Sequence, residues 1–113
     1  MKIKMELKGE IAIVAPKGSL VGGEETDELR SAVSQLLEKG NTKLVVDLGG
    51  VDYMNSTAIG ALVSAHTSYA NRSGKVILCN VNKKITNIFI VTKLSMIFQI
   101  EETAADAERA LTK

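Results

Sequence analysis

The sequence predicts an α/β fold: a single domain over residues 1–113 with a mixed, mainly parallel sheet of 4–5 strands and about four helices. Two observations carry this. Short apolar runs at Ile11 to Ala15, Leu44 to Val46 and Val76 to Cys79 have the length and β-branched content of buried strands. Between and after them lie longer segments whose apolar residues recur at helical spacing, and strands of one sheet joined through a helix run parallel, because a tight hairpin can join only antiparallel neighbours.

Taken in order, residues 2–7 alternate polar and apolar, Lys8-Gly9-Glu10 interrupts, and the run from Ile11 follows, a hairpin whose second strand is buried on both faces. Pro16 has no N–H to give to a ladder and should weaken the pairing, and Gly18 with Gly22-Gly23 marks a loop. A helix begins near Glu24. Glu24, Glu25, Asp27 and Glu28 crowd its first turn, where unpaired N–H groups favour negative charge; Leu29, Ala32, Val33, Leu36 and Leu37 form its apolar stripe, and Gly40 closes it. Residues 43–48 contain a central strand that ends at Gly49-Gly50. The second helix covers residues 56–72, with Ile59, Leu62, Val63, His66 and Ala70 on one stripe and Ser56, Gly60, Ser64 and Thr67 on the opposite face. Gly60 costs such a helix roughly 1 kcal/mol relative to Ala, so a close contact with the core or with a partner is expected there. Ser73-Gly74 turns the chain into a strand at residues 76–80. Ile85, Ile88 and Phe89 open a third helix that ends near Lys93, residues 97–100 add a short edge strand, and residues 103–111 form a terminal helix.

Lys and Arg total 14 against 13 for Asp and Glu, a balance with no electrostatic footprint for nucleic acid or an anionic membrane. The charges are nevertheless segregated: no acidic residue occurs between Tyr53 and Ile100, where Arg72, Lys75, Lys83, Lys84 and Lys93 all fall. Such a stretch suits an acidic partner surface or a phosphate group as well as plain solvation. Cys79, the lone cysteine, lies inside an apolar strand run and reads as a core residue, with no disulfide framework and no paired metal ligands. The N-terminus has no uninterrupted apolar h-region and the longest apolar stretches are too short to span a bilayer, so the expected location is cytoplasmic, without direct membrane insertion.

The chemistry concentrates between Leu44 and His66, where a strand and a glycine turn lead into hydroxyls at the mouth of a helix. The first N–H groups of a helix lack partners and carry partial positive charge, so Asn55 or Ser56 can cap them, and a phosphate on Ser56 would be stabilised there. Thr57 is the competing acceptor. No catalytic residue, cofactor or metal site is expected. The only base for a nucleophilic serine would be His66, about ten residues and roughly 15 Å along the helix axis from Ser56; phosphate-cradling glycine loops and the Gly-x-Ser-x-Gly elbow are absent.

The run Asp47-Leu48-Gly49-Gly50-Val51-Asp52-Tyr53-Met54-Asn55-Ser56-Thr57-Ala58-Ile59-Gly60 resembles the signature of bacterial STAS domains of the anti-sigma factor antagonist type, Asp-Leu-x-x-Val-x-Tyr/Phe-Met/Ile-Asp-Ser-Ser/Thr-Gly-Leu-Gly. Gly18-Ser19-Leu20 is similar to the family's Gly-x-Leu/Ile-Asp segment, and Gly74-Lys75-Val76, Phe89 and Leu94 match further positions, so the resemblance covers essentially the whole chain. It implies a STAS-like fold and a partner switch. The unphosphorylated chain would bind an anti-sigma factor that is also a serine kinase of the histidine-kinase-like ATPase superfamily, releasing a sigma factor. Phosphorylation of Ser56 would break that complex and a PP2C-type phosphatase would restore it. The implied partner-binding residues are Val21, Asn55, Ser56 and Thr57, with Gly60 and Ser64 further along the helix. Asn55 and Val21 stand where the family has Asp, and Ala58 where it has Gly. Asn keeps the capping ability of Asp and loses its charge. The alternative within the family is a scaffold that is not phosphorylated, or an accessory subunit of a membrane lipid or solute transport system.

Overall fold

The computed structural model describes residues 3–21 and 23–112; Lys2, in the predicted first strand, and Gly22, in the predicted loop, lie outside the described residues. In chain order the elements are β1 (Lys4–Lys8), β2 (Ile11–Ala15), β3 (Lys17–Leu20), α1 (Glu24–Glu38), β4 (Lys43–Asp47), β5 (Gly50–Met54), α2 (Ser56–Ala70), β6 (Lys75–Cys79), α3 (Lys83–Val91), a 3₁₀ turn (Leu94–Met96), β7 (Gln99–Glu101) and α4 (Ala104–Thr112).

The N-terminal hairpin forms as the alternation predicts: β1 pairs antiparallel with β2, Lys8 opposite Ile11, around a left-handed Gly9. β2 stops at Ala15, one residue before Pro16. Parallel pairing then adds β4 to β2, β6 to β4 and β7 to β6, giving the order β1-β2-β4-β6-β7. The central strands are buried on both faces, and their period of two divides the core. Ala12, Val14, Leu44, Val46, Val76 and Leu78 face the cluster that includes residues of α1, α2 and α3, while Ile11, Ile13, Val45, Ile77 and Cys79 face α4 through Ala107 and Leu111.

Two segments depart from the sequence reading. Lys17 to Leu20, read as loop, and Gly50 to Met54, read as lying beyond the end of a strand, pair in parallel as a separate two-stranded sheet. Its register slips between Gly18 and Ser19, and β5 buries Val51 and Met54, three positions apart, so the period-two signal of a strand is missing. The buried stripe of α2 also differs. Ala58, Ala61, Leu62, Ala65 and Tyr69 are buried; of the predicted set Leu62 is buried as expected, whereas Ile59, Val63 and His66 are half-buried and Ala70 is exposed, each next to a buried residue one position earlier. Three alanines share the buried stripe with Leu62 and Tyr69, and the β-branched Ile59 and Val63 flank it.

Tyr69 anchors the far end of α2. Its ring is fully buried, its hydroxyl donates to Asn41 Oδ1 at 2.7 Å, and nearby the Arg72 guanidinium donates to the Leu37 carbonyl at 2.8 Å, so the ends of α1 and α2 are tied together. Gly74 then turns toward β6 so tightly that a Cβ there would lie 2.8 Å from the Thr42 carbonyl oxygen.

Candidate functional site at the start of helix α2

The parallel pairing of β3 and β5 sets Leu20 beside Met54 and delivers Val21 and Asn55 together at one end of the small sheet. Asn55 is extended, with φ −97° and ψ −177°, the backbone an N-cap requires. It makes three connections across this corner. Its backbone N–H donates to the Leu20 carbonyl at 3.0 Å, its Nδ2 donates to the Val21 carbonyl at 2.7 Å, and its Oδ1 accepts from the Ala58 N–H at 3.1 Å. The cap is therefore Asn55. Ser56, the first helical residue, takes no part in it.

Met54 and Ala58 are buried on either side, so the intervening helix start faces outward, and both Ser56 and Thr57 are exposed. The first turn of α2 carries no acidic residue to compete for its unpaired N–H groups. Val21, half of its surface accessible, stands next to this corner. Val21, Asn55, Ser56 and Thr57 are thus brought together as the sequence suggests. Gly60 and Ser64 continue along the exposed side of α2, one and two turns on. A Cβ built on Gly60 meets nothing within 4 Å, so the core does not require glycine there. Ser64 borders a shallow groove between α1 and α2 floored by Leu29, Val33 and Ala61.

Sequence reasoning missed Asn82. It caps α3 by accepting from the Ile85 N–H at 2.8 Å and donates to the Val51 carbonyl at 3.0 Å, the same two-ended use of an asparagine as at Asn55. The available signal was an Asn directly before a helical run. The starts of α2 and α3 are therefore both pinned to the small sheet, and the Lys84 ammonium lies 6.0 Å from the centre of the exposed Tyr53 ring.

Neither of the other reactive side chains belongs to this corner. His66 lies ten positions after Ser56 on α2, roughly 15 Å along the axis, and packs edge-on against Phe98 with ring centres 5.7 Å apart. Cys79 is buried in β6, where desolvation, reinforced by the charges of Asp47 and Glu108, pushes its thiol up to about 12. Among the described residues no group of three metal-ligating side chains converges, and no helix is long and apolar enough to cross a membrane.

A sheet covered on one face by three helices and on the other by α4, with a hydroxyl pair displayed at the mouth of α2, defines a small α/β module. The chain belongs to the STAS-domain family, whose model matches residues 2–107. It is 30% identical over 90 residues to the anti-sigma-B factor antagonist of Listeria monocytogenes, spanning 76% of this chain and 79% of that protein. A crystal structure of a Thermotoga maritima protein superposes with a TM-score of 0.91 at 22% identity, covering 98% of this chain and 95% of that one. The Bacillus cell-fate determinant SpoIIAA, in its phosphorylated form, superposes with a TM-score of 0.76 at 16% identity, covering 96% of this chain and 99% of that one.

Proposed function

We propose that this chain is an anti-sigma factor antagonist working as a phosphorylation-controlled partner switch. In the unphosphorylated state the surface made by Val21, Asn55, Ser56 and Thr57, continued by Gly60 and Ser64, binds an anti-sigma factor in the cytoplasm and a sigma factor is released. The anti-sigma factor is also the kinase: the Ser56 Oγ attacks the γ-phosphorus of ATP, ADP leaves, and the serine proton passes to a base of the kinase. A PP2C-type phosphatase returns the phosphate to water. The chain itself performs no catalysis and acts as a single domain.

The observation that carries this reading is that Asn55 caps α2, leaving the exposed Ser56 hydroxyl at the first helical position with no structural task. Family membership and the name of the Listeria relative support it. A phosphate on Ser56 adds about −1.5 to −2 charges next to helix N–H groups that favour anions. The fold tolerates that charge, so its cost falls on the complex, where it meets partner groups placed for a neutral hydroxyl. Gly60 fits the same reading, since a helix backbone without a side chain admits a partner to close approach.

The test is incubation of the chain with the purified anti-sigma factor kinase of its source organism and ATP, followed by peptide mass spectrometry. One phosphate on Ser56, absent from Ser56→Ala, is the expected result. Phosphate on Thr57 alone would move the switch by one residue, and an unmodified chain that still binds the kinase would make it a constitutive antagonist.

A further inference from the structure

Eight large apolar residues are exposed among the described residues, and four of them, Ile90, Val91, Met96 and Ile97, fall within the eight positions that end α3 and form the 3₁₀ turn. Val91 is 81% and Met96 83% accessible, values that no packing role explains. Helix α3 buries only Ile85 and Phe89. Lys93, left-handed at φ 64°, stops the helix and folds the chain back so that the 3₁₀ turn packs beside it. Half of the exposed large apolar residues thus fall in one eight-residue segment whose two parts pack beside each other, more than the scattered single residues that need no explanation.

The other end of α3 carries a charge that does not serve the helix. Lys83 and Lys84 occupy its first two positions, where the helix field disfavours cations, and no acidic residue lies in that turn to offset them. Lys84 reaches over Tyr53, on the strand that leads directly into Asn55 and Ser56. The α3 surface therefore runs from a basic end beside the α2 start to an apolar end at residues 90–97, within a segment free of Asp and Glu from Tyr53 to Ile100.

We infer that α3 and the 3₁₀ turn form a second docking surface, and that its occupant is an acidic amphipathic element of the anti-sigma factor: an apolar stripe against Ile90, Val91, Met96 and Ile97, with carboxylates meeting Lys83 and Lys84. This rests on the proposed function and adds to it the chemistry of the partner. An anionic membrane is the poorer fit, because α3 has nine residues with its lysines and its exposed apolar residues at opposite ends, whereas interfacial helices carry the two on opposite faces. The partner surface is read jointly at the α2 start and along α3, both held to the small sheet by Asn55 and Asn82.

The experiment titrates the purified anti-sigma factor of the source organism into the full chain and into Lys83→Glu/Lys84→Glu, Val91→Asp and Met96→Asp. The two glutamates suit a helix start, and Val91 and Met96 are solvent-facing, so each variant keeps its fold, checked by circular dichroism. Each is expected to weaken binding on the order of tenfold, as interface anchors do, and the loss in the double variant should shrink at high salt. Wild-type affinity in all three variants, alongside loss of binding in Ser56→Asp, overturns the α3 surface and leaves the proposed function standing. Absence of binding by the wild type overturns both. Two parallel measurements on the free chain bear on the occupant. Sedimentation with phosphatidylglycerol vesicles, or self-association, that is abolished by Val91→Asp would assign the face to a membrane or to a second copy and overturn the inference.

Discussion

Asn55 is the residue whose replacement tests the geometry of the site most sharply, because one side chain joins two elements. Its Oδ1 caps α2 through the Ala58 N–H, and its Nδ2 holds the Val21 carbonyl at 2.7 Å. Asn55→Ala removes both bonds. Loss of an N-cap costs about 1 kcal/mol and loss of a hydrogen bond to a backbone carbonyl about 1 kcal/mol more, a sum of about 2 kcal/mol. For a domain of this size that lowers Tm by roughly 8 °C. Asn55→Asp separates the two roles. A carboxylate caps at least as well and gains about 0.5 kcal/mol from the helix field, but it has no N–H and brings an oxygen against the Val21 carbonyl. The net expectation at pH 7 is a loss of about 1 kcal/mol, which shrinks as the carboxyl is protonated below about pH 4 and can donate again. Urea denaturation of the wild type and both variants at pH 7 and pH 4 reads these terms directly. A stability for Asn55→Ala within about 0.5 kcal/mol of wild type, or an Asp variant more stable than wild type at pH 7, would refute the two-ended role. The same pair bears on the sequence pattern. Val21 and Asn55 are the two positions where the resembling family carries Asp, and here the Asn55 side chain donates to the Val21 backbone carbonyl, a hydrogen bond that an ionised carboxylate at position 55 could not make.

Gly60→Ala should stabilise the isolated chain by up to about 1 kcal/mol, since the added methyl meets open space, while weakening anti-sigma factor binding; denaturation and titration of the same preparation measure both. Tyr69→Phe loses the bond to Asn41 and should cost about 1 kcal/mol in urea denaturation. Stability should also fall at alkaline pH. Burial raises the Tyr69 hydroxyl from 10.0 to about 12, and burial with nearby carboxylates raises the Cys79 thiol from 9.0 to about 12. The folded state thus holds protons that the unfolded chain releases, so the contribution of these groups is complete below pH 9 and is lost as pH rises from there toward about 12. Urea midpoints from pH 8 to pH 11 should fall, and less steeply above pH 10 in Tyr69→Phe; a flat profile contradicts the assignment.

The centre of the main sheet was legible because β2, β4 and β6 are buried on both faces and reveal themselves as apolar runs, and α1 because its acidic first turn and leucine stripe agree. The small sheet was not. Lys17-Gly18-Ser19-Leu20 contains a register slip, and β5 begins on the second of two glycines with its buried residues three apart, so local pattern pointed to loop while pairing at long range made strand. In α2 the predicted stripe shares Leu62 with the buried one and otherwise lies one position away, because alanines, whose small side chains give a weak hydrophobic signal, hold three of the buried positions while Ile59 and Val63 flank them. The candidate site was more legible than its support. Ser56 and its neighbours follow from the motif, whereas the bond from Asn55 to Val21 depends on β3 pairing with β5, and the matching role of Asn82 depends on where α3 lands.

The central claim, that phosphate on Ser56 breaks a complex with an anti-sigma factor, is tested most directly by one comparison: the affinity of the purified anti-sigma factor for the chain before and after stoichiometric phosphorylation at Ser56. Tight binding of the unmodified chain and a loss on the order of a hundredfold or more in the phosphorylated chain, with unchanged circular dichroism, is the predicted result, since truncated or mis-charged interface anchors cost several kcal/mol. Equal affinity of the two forms would contradict it.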